Sequence, residues 1–119
     1  MTLHLSTHMS GDAVIVDCTG SIVYCEEAAF LQSYVRSLLD QHHQIVLDLS
    51  GVTWIDSHGI GTMVGLWASA RKGSGDLRLA ALNSQVQNTF TITRLISLFS
   101  TFETADQAAA SFVAEKRAA

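Results

Sequence analysis

The chain has 119 residues, 48% of them hydrophobic and 15% charged, with a formal net charge of −4. That length fits one domain, over residues 1–119, able to bury roughly two thirds of its unfolded surface without a metal or a disulfide. The composition excludes a disordered chain, and an acidic balance with scattered Lys and Arg argues against a direct nucleic-acid partner.

No apolar run approaches the roughly 18–20 residues needed to span a bilayer, so no membrane insertion is expected. The start "MTLHLSTHMSGD" lacks the basic residues and hydrophobic block of a signal peptide. Cys18 and Cys25 have no CxxC spacing and read as two buried thiols in a reducing cytoplasm.

In chain order, "TLHLSTHM" and "AVIVDCTG" read as strands joined by a hairpin turn at "SGD". "EEAAFLQSYVRSLLDQ" places Leu31, Tyr34, Val35 and Leu38 on one helical face, with Glu26 and Glu27 in the first turn, where the dipole favours negative charge. "QIVLDLS" is a covered central strand. "VTWIDSHGIGTMVGLW" starts as a strand and ends as a helix, whose buried face is predicted to be Ile60, Met63, Val64 and Trp67.

"KGSG" reads as a helix stop and turn, "DLRLAAL" as a strand, "SQVQNTFTIT" as a short helix and "LFSTF" as the last strand. "TADQAAASFVAEK" closes the chain as a helix, with Thr104 and Gln107 as a capping box and Ala105, Ala108, Ala109 and Phe112 as its apolar stripe. The order β-β-α-β-α-β-α-β-α implies a single α/β domain, with a mixed, mostly parallel sheet of about five strands and about four helices.

The chemistry concentrates in "DSHG", Asp56 to Gly59, where strand turns into helix. A hydrolase triad is disfavoured, because consecutive side chains leaving a strand diverge and G-x-S-x-G is missing. "GIGTMVG" nearly spells G-x-G-x-x-G, but its third glycine comes one position late, and Asp76 opens a strand where a ribose-binding acid would end one. The plainer reading of Gly61 and Gly65 is close approach of the helix to the sheet. His4 and His8 share a strand face without a third ligand, and His42 and His43 read as helix-end residues capping carbonyls, so no metal or other cofactor is expected. Asp or Ser must cap the following helix, and capping explains one of them but not both.

"IVLDLSGVTWIDSHGIGTMV" resembles the signature of STAS domains, specifically the bacterial anti-sigma factor antagonists. "CTGSI", "GDLRLAAL" and "ITRLISLFSTFET" agree with the same family, so the resemblance runs from Leu3 to Val113. It implies a binding protein without catalytic residues; the domain is expected in the cytoplasm, as a monomer or weak dimer. It further implies that Ser57 is phosphorylated by an anti-sigma factor that is itself an ATP-dependent serine kinase, and dephosphorylated by a PP2C-type phosphatase. The unphosphorylated form would capture the anti-sigma factor and free the sigma factor for transcription. The alternative use of such a domain is as an unphosphorylated interaction or scaffold subunit of a signalling or transport complex.

Partner-contacting residues are expected at Asp56, His58, Gly59 and Thr62, and at Tyr24 and Glu26 at the head of the first helix. The chain departs from the family pattern twice. His58 stands where many members have Ser or Thr, and Val23 stands where many have Asp; Tyr24, Glu26 or Glu27 would then supply the neighbouring contact.

Overall fold

The computed structural model describes residues 2–118, and the side chains of residues 2–115. Five strands and four helices follow in the expected order. The strands are β1 (Leu3–Ser10), β2 (Ala13–Ile22), β3 (Gln44–Ile55), β4 (Asp76–Ala80) and β5 (Thr101–Phe102). The helices are α1 (Tyr24–Leu39), α2 (Ser57–Lys72), α3 (Ser84–Ile92) and α4 (Ala105–Ala118), with a short 3-10 turn at Ile96–Leu98. The sheet runs β1-β2-β3-β4-β5; β1 and β2 are antiparallel and all other neighbours are parallel.

The hairpin turns on Gly11, whose φ of 60° is the left-handed conformation a tight two-residue turn requires at its first position. β2 and β3 are buried on both faces along much of their length. Val14, Val16, Ile45, Leu47 and Leu49 join the larger core with α1, α2 and α3, while Ala13, Ile15 and Val46 meet Ala108, Ala109 and Phe112 of α4 on the other side. The stripe read for α4 is therefore the docking face it uses. Thr104 Oγ1 accepts from Gln107 N–H at 3.1 Å, one of the two bonds of the expected capping box.

Several expectations need correction. "QIVLDLS" and "VTWI" form one strand of 12 residues, because β3 keeps pairing with β2 through irregular steps at Asp17/Thr19 and Gly20/Ser21 up to Ile22–Ile55. α1 begins at Tyr24, two residues ahead of the predicted start. The last strand shrinks to two residues, since Ile96–Leu98 coils into the 3-10 turn. Cys18 is buried but Cys25 is exposed in the first turn of α1. His42 meets the end of α1 through its backbone, its N–H donating to Leu38 O at 2.9 Å.

The glycines of α2 also change roles. Gly61 and Gly65 are exposed, and a Cβ on either would meet nothing within 4 Å, so neither brings the helix closer to the sheet. The close approach is at Gly59, where a Cβ would stand 2.4 Å from Ile22 O and 2.8 Å from side-chain carbons of Ile22 and Ile55. The buried face of α2 is correspondingly rotated to Gly59, Ile60, Met63, Leu66 and Ala70, with Val64 and Trp67 half-buried at its border.

The two kinds of glycine should respond oppositely to alanine. Gly61→Ala and Gly65→Ala remove backbone freedom in an exposed helix and should each stabilise by about 0.5–1 kcal/mol. Gly59→Ala overpacks against backbone and should destabilise by roughly 1–3 kcal/mol. Urea denaturation of the three variants checks the signs; a neutral Gly59→Ala would contradict the packing.

Candidate functional site

β3 carries the chain to Ile55, beyond the last residue that β4 can reach, because pairing with β4 stops at Asp48–Ala80. Val52 and Ile55 lie beyond that point and are buried, so their backbone groups need partners other than β4. Side chains from the β4–α3 connection and α3 fill in for the missing strand. Asn83 Nδ2 donates to Val52 O at 2.7 Å, while Gln85 accepts from Ile55 N–H at 3.1 Å and donates to Ile55 O at 3.3 Å. Asn83 also caps α3 by accepting from Val86 N–H at 2.9 Å. The residue before Asp56 is thus held on one edge by β2 and on the other by a glutamine amide. Nothing in local sequence marks Asn83 and Gln85 as supports for residues some 30 positions earlier.

Asp56 itself is the N-cap of α2, in extended conformation, and its Oδ1 accepts from His58 N–H at 2.9 Å and Gly59 N–H at 3.2 Å. Its other oxygen, Oδ2, accepts from Tyr24 N–H at 3.0 Å, the first residue of α1. Val23, the N-cap residue of α1, has no side-chain oxygen to offer that helix. One carboxylate therefore serves the starts of two helices, the second from across the turn. Tyr24 sits at φ 60°, a conformation that a non-glycine residue adopts only at some cost, and its bond to Asp56 helps to hold it there.

Partial burial pushes the Asp56 carboxyl upward. The bonds from Tyr24 N–H, Gly59 N–H, the His58 ring and His58 N–H outweigh it and hold the group below its ordinary value. His58 Nδ1 lies 3.3 Å from Asp56 Oδ2, with the imidazole half exposed.

Because Asp56 does the capping, Ser57 is left as the first helical residue, exposed at the tip of α2. The structure brings Asp56, His58 and Tyr24 together around it. Glu26 is exposed in the first turn of α1, whereas Glu27 turns into the protein. Gly59 lies beneath the turn as the packing residue described above, and Thr62 is half-buried on the flank of α2. Two exposed aromatic side chains frame the area in the chain, Tyr24 at 62% and Trp54 at 54% exposure, and Trp54 was not singled out by motif or periodicity.

Other candidate groups are accounted for elsewhere. A groove of about 510 Å³ opens at the start of β3 and β4, the opposite end of the strands from Ser57. Its buried Arg78 is engaged at all three nitrogens, by Asp76 Oδ2 at 3.0 Å, Ser111 Oγ at 2.6 Å and Glu115, with the Phe112 ring 3.9 Å away, so it anchors α4 to the sheet. His8 pairs with Asp17 across the hairpin at 2.8 Å. Burial, then the charges of Asp48 and Asp17, push the Cys18 thiol up to about 12, which leaves it unreactive. Among the described residues, no group of three His, Cys, Asp or Glu side chains could hold a metal, and no helix is long and apolar enough to cross a membrane.

An exposed serine beside a capping aspartate, at the junction of a central strand and a helix, is the arrangement the sequence motif implied. The STAS domain model matches residues 4–108. The chain belongs to the STAS domain family. Over 102 residues it is 26% identical to BtrV of Bordetella bronchiseptica, named as a candidate anti-sigma factor antagonist, covering 85% of this chain and 88% of that one. Its fold is similar to that of a protein from Thermotoga maritima, likewise named as a candidate anti-sigma factor antagonist, with a TM-score of 0.82 and 24% identity over 90% of this chain and 92% of the other. It is also similar to the antagonist SpoIIAA in its unphosphorylated form, with a TM-score of 0.78 and 15% identity over 93% and 97% of the two chains. The phosphorylated form of the Bacillus SpoIIAA gives a TM-score of 0.70 at 14% identity, over 93% of this chain and 99% of that one.

The shared cap sets a stability test. Asp56→Ala strips an acceptor from two helix starts and should cost about 2 kcal/mol, at roughly 1 kcal/mol per cap, whereas Asp56→Asn keeps one acceptor oxygen and should lose about half of that. The sign with pH follows from the depressed carboxyl. Its contribution is complete above the carboxyl's unfolded value and disappears as pH falls through the lower folded one. Urea denaturation should therefore show the gap between wild type and Asp56→Asn closing on acidification. A gap independent of pH would contradict the shared cap.

Proposed function

We propose that this domain is an anti-sigma factor antagonist switched by phosphorylation of Ser57. In its unphosphorylated form it binds an anti-sigma factor that is also an ATP-dependent serine kinase, in the cytoplasm, and so releases a sigma factor for transcription. A PP2C-type phosphatase restores the binding form. The domain itself supplies no catalysis and touches no nucleic acid, in keeping with its net charge of −4.

The observation that carries this reading is the division of labour between Asp56 and Ser57. A serine at such a junction is most simply a helix cap, but here Asp56 makes the capping bonds and Ser57 stands exposed as the first residue of α2. Its hydroxyl is available to another protein's active site. In the transfer, Ser57 Oγ bonds to the γ-phosphorus of ATP, the bond to the β-phosphate oxygen breaks to release ADP, and the hydroxyl proton leaves to the kinase or solvent. The product phosphate sits at a helix N-terminus, which favours its charge of about −1.5 to −2. The neighbouring Asp56 carboxylate opposes it.

The same charge explains why the modification would act as a switch. Tyr24 and Trp54 offer exposed aromatic surface of the kind that anchors protein interfaces, and Ser57 belongs to the same end of the sheet. A dianion brought into such an interface must be desolvated and sits beside the Asp56 carboxylate, which opposes docking. The phosphorylated structure of SpoIIAA and the name given to BtrV support the reading by analogy.

Incubation with a cognate serine kinase and ATP should add one phosphate, located at Ser57 by mass spectrometry and absent from Ser57→Ala. Phosphate placed only on other residues would overturn the proposal. Ser57→Asp should leave the melting temperature within about 2 °C of wild type, because Asp56 still caps α2. The same variant should weaken partner capture by at least about tenfold in calorimetry, the effect of about 1.4 kcal/mol. Undiminished capture by that variant would instead favour a scaffold subunit without a phosphate switch.

A further inference from the structure

The two edges of the sheet are unequal. β5 forms one with only Thr101–Phe102, whereas β1 forms the other with eight residues, Leu3–Ser10, paired on one side only. The register fixes which backbone groups are free. Ser10 stands opposite Ala13 across the two-residue turn, and Ser21 N–H donates to Thr2 O at the far end. Residues that exchange bonds alternate along an antiparallel ladder, so even-numbered residues of β1 bond inward to β2. The N–H and C=O groups of Leu3, Leu5, Thr7 and Met9 point outward.

Exposed edges are ordinarily blunted by charged side chains, proline, a bulge or a covering element. "LHLSTHMS" contains no Lys, Arg, Asp, Glu or Pro, and it pairs with β2 without a register shift. Residues Ser6 to Met9 are all exposed, Met9 at 53%. This is a straight, unprotected strand with a free ladder of hydrogen-bonding groups.

We propose that this edge is a homodimer interface, in which β1 of a second copy pairs antiparallel with it and joins two five-stranded sheets into one of ten strands. Self-pairing is geometrically closed. An antiparallel pair of identical strands has a two-fold axis, and the opposite edge, two residues long, is too short to accept β1 and propagate a fibre. The strand carries no carboxylate, ammonium or guanidinium group, so two copies meet without like-charge repulsion.

The axis falls at Thr7. Opposed residues must share a face, which leaves registers centred on a residue. Centring on Thr7 sets Leu5 of each copy against Met9 of the other on the α1 face, and uses the outward groups of all three residues. On the opposite face it sets Ser6 against His8 and His4 against Ser10. Centring on Ser6 would instead set the apolar Leu5 of each copy against the polar Thr7 of the other. Ser57 follows β3, two strands away from this edge, so the dimer would present two such sites at once.

Sedimentation equilibrium of the full chain tests the proposal. Wild type should shift toward twice the monomer mass with rising concentration, and Thr7→Lys should remain monomeric at concentrations where wild type is dimeric, with an unchanged circular dichroism spectrum. In a Cys25→Ser background, Thr7→Cys should form a disulfide-linked dimer under mild oxidation several-fold faster than Ser6→Cys. A wild type that stays monomeric up to about 1 mM, the weak end of specific association, would overturn it. So would a Thr7→Lys variant that dimerises like wild type, or equal cross-linking at Thr7 and Ser6. None of these readouts depends on phosphorylation of Ser57 or on its partner.

Discussion

The Asp56 carboxylate receives N–H groups from the starts of two helices, Tyr24 of α1 on one oxygen, and His58 and Gly59 of α2 on the other. Each helix begins where a different strand ends, β2 for α1 and β3 for α2. The carboxylate therefore ties the C-terminal ends of two parallel strands and the N-terminal ends of two helices into one junction. Both helix dipoles point their positive ends at the same negative group. This arrangement fixes what the junction displays. With the cap on Asp56, Ser57 is released from structural duty and stands at the tip of α2.

The surroundings preserve that geometry from three directions. Gly59 lets α2 lie directly against Ile22 and Ile55, where any side chain would push the helix tip away. Asp56 N–H donates to Ile22 O at 3.3 Å, which continues the β2–β3 pairing by one more bond. On the other edge, the Gln85 amide brackets Ile55 in place of a strand. Among the described residues no capping bond of α2 runs through the Ser57 hydroxyl, so what supports the helix and what it displays are separate side chains. A modification switch needs that separation between support and display.

Much of this was legible in the sequence. Short apolar runs placed β2 and β3, helical spacing placed α1 and the apolar stripe placed α4, and the succession of elements gave the class of fold. The "DSHG" junction and its exposed serine followed from the motif. What failed to show was long-range. The share of Asp56 given to Tyr24 spans 32 positions, and local capping rules look only a few residues ahead. Gly61 and Gly65 looked like packing glycines because of their spacing, yet the buried face of α2 is rotated toward Leu66 and Ala70, and closeness at Gly59 depends on where Ile22 lies. The exposure of Cys25 has the same origin, since α1 starts earlier than its charge pattern suggests and turns that residue outward. The Val23 side chain makes no cap bond for α1, and the Asp56 carboxylate supplies an acceptor there from 32 positions away.

The claim that one carboxylate holds both helix starts is tested most directly by following backbone amides in a nitrogen–proton NMR titration across the carboxyl range. The amides of Tyr24, His58 and Gly59 should move together with a single midpoint, below that of an ordinary aspartate, and all three shifts should vanish in Asp56→Asn. A Tyr24 amide that stays still while His58 and Gly59 titrate would show that α1 begins without Asp56, and the account of a shared junction would be wrong.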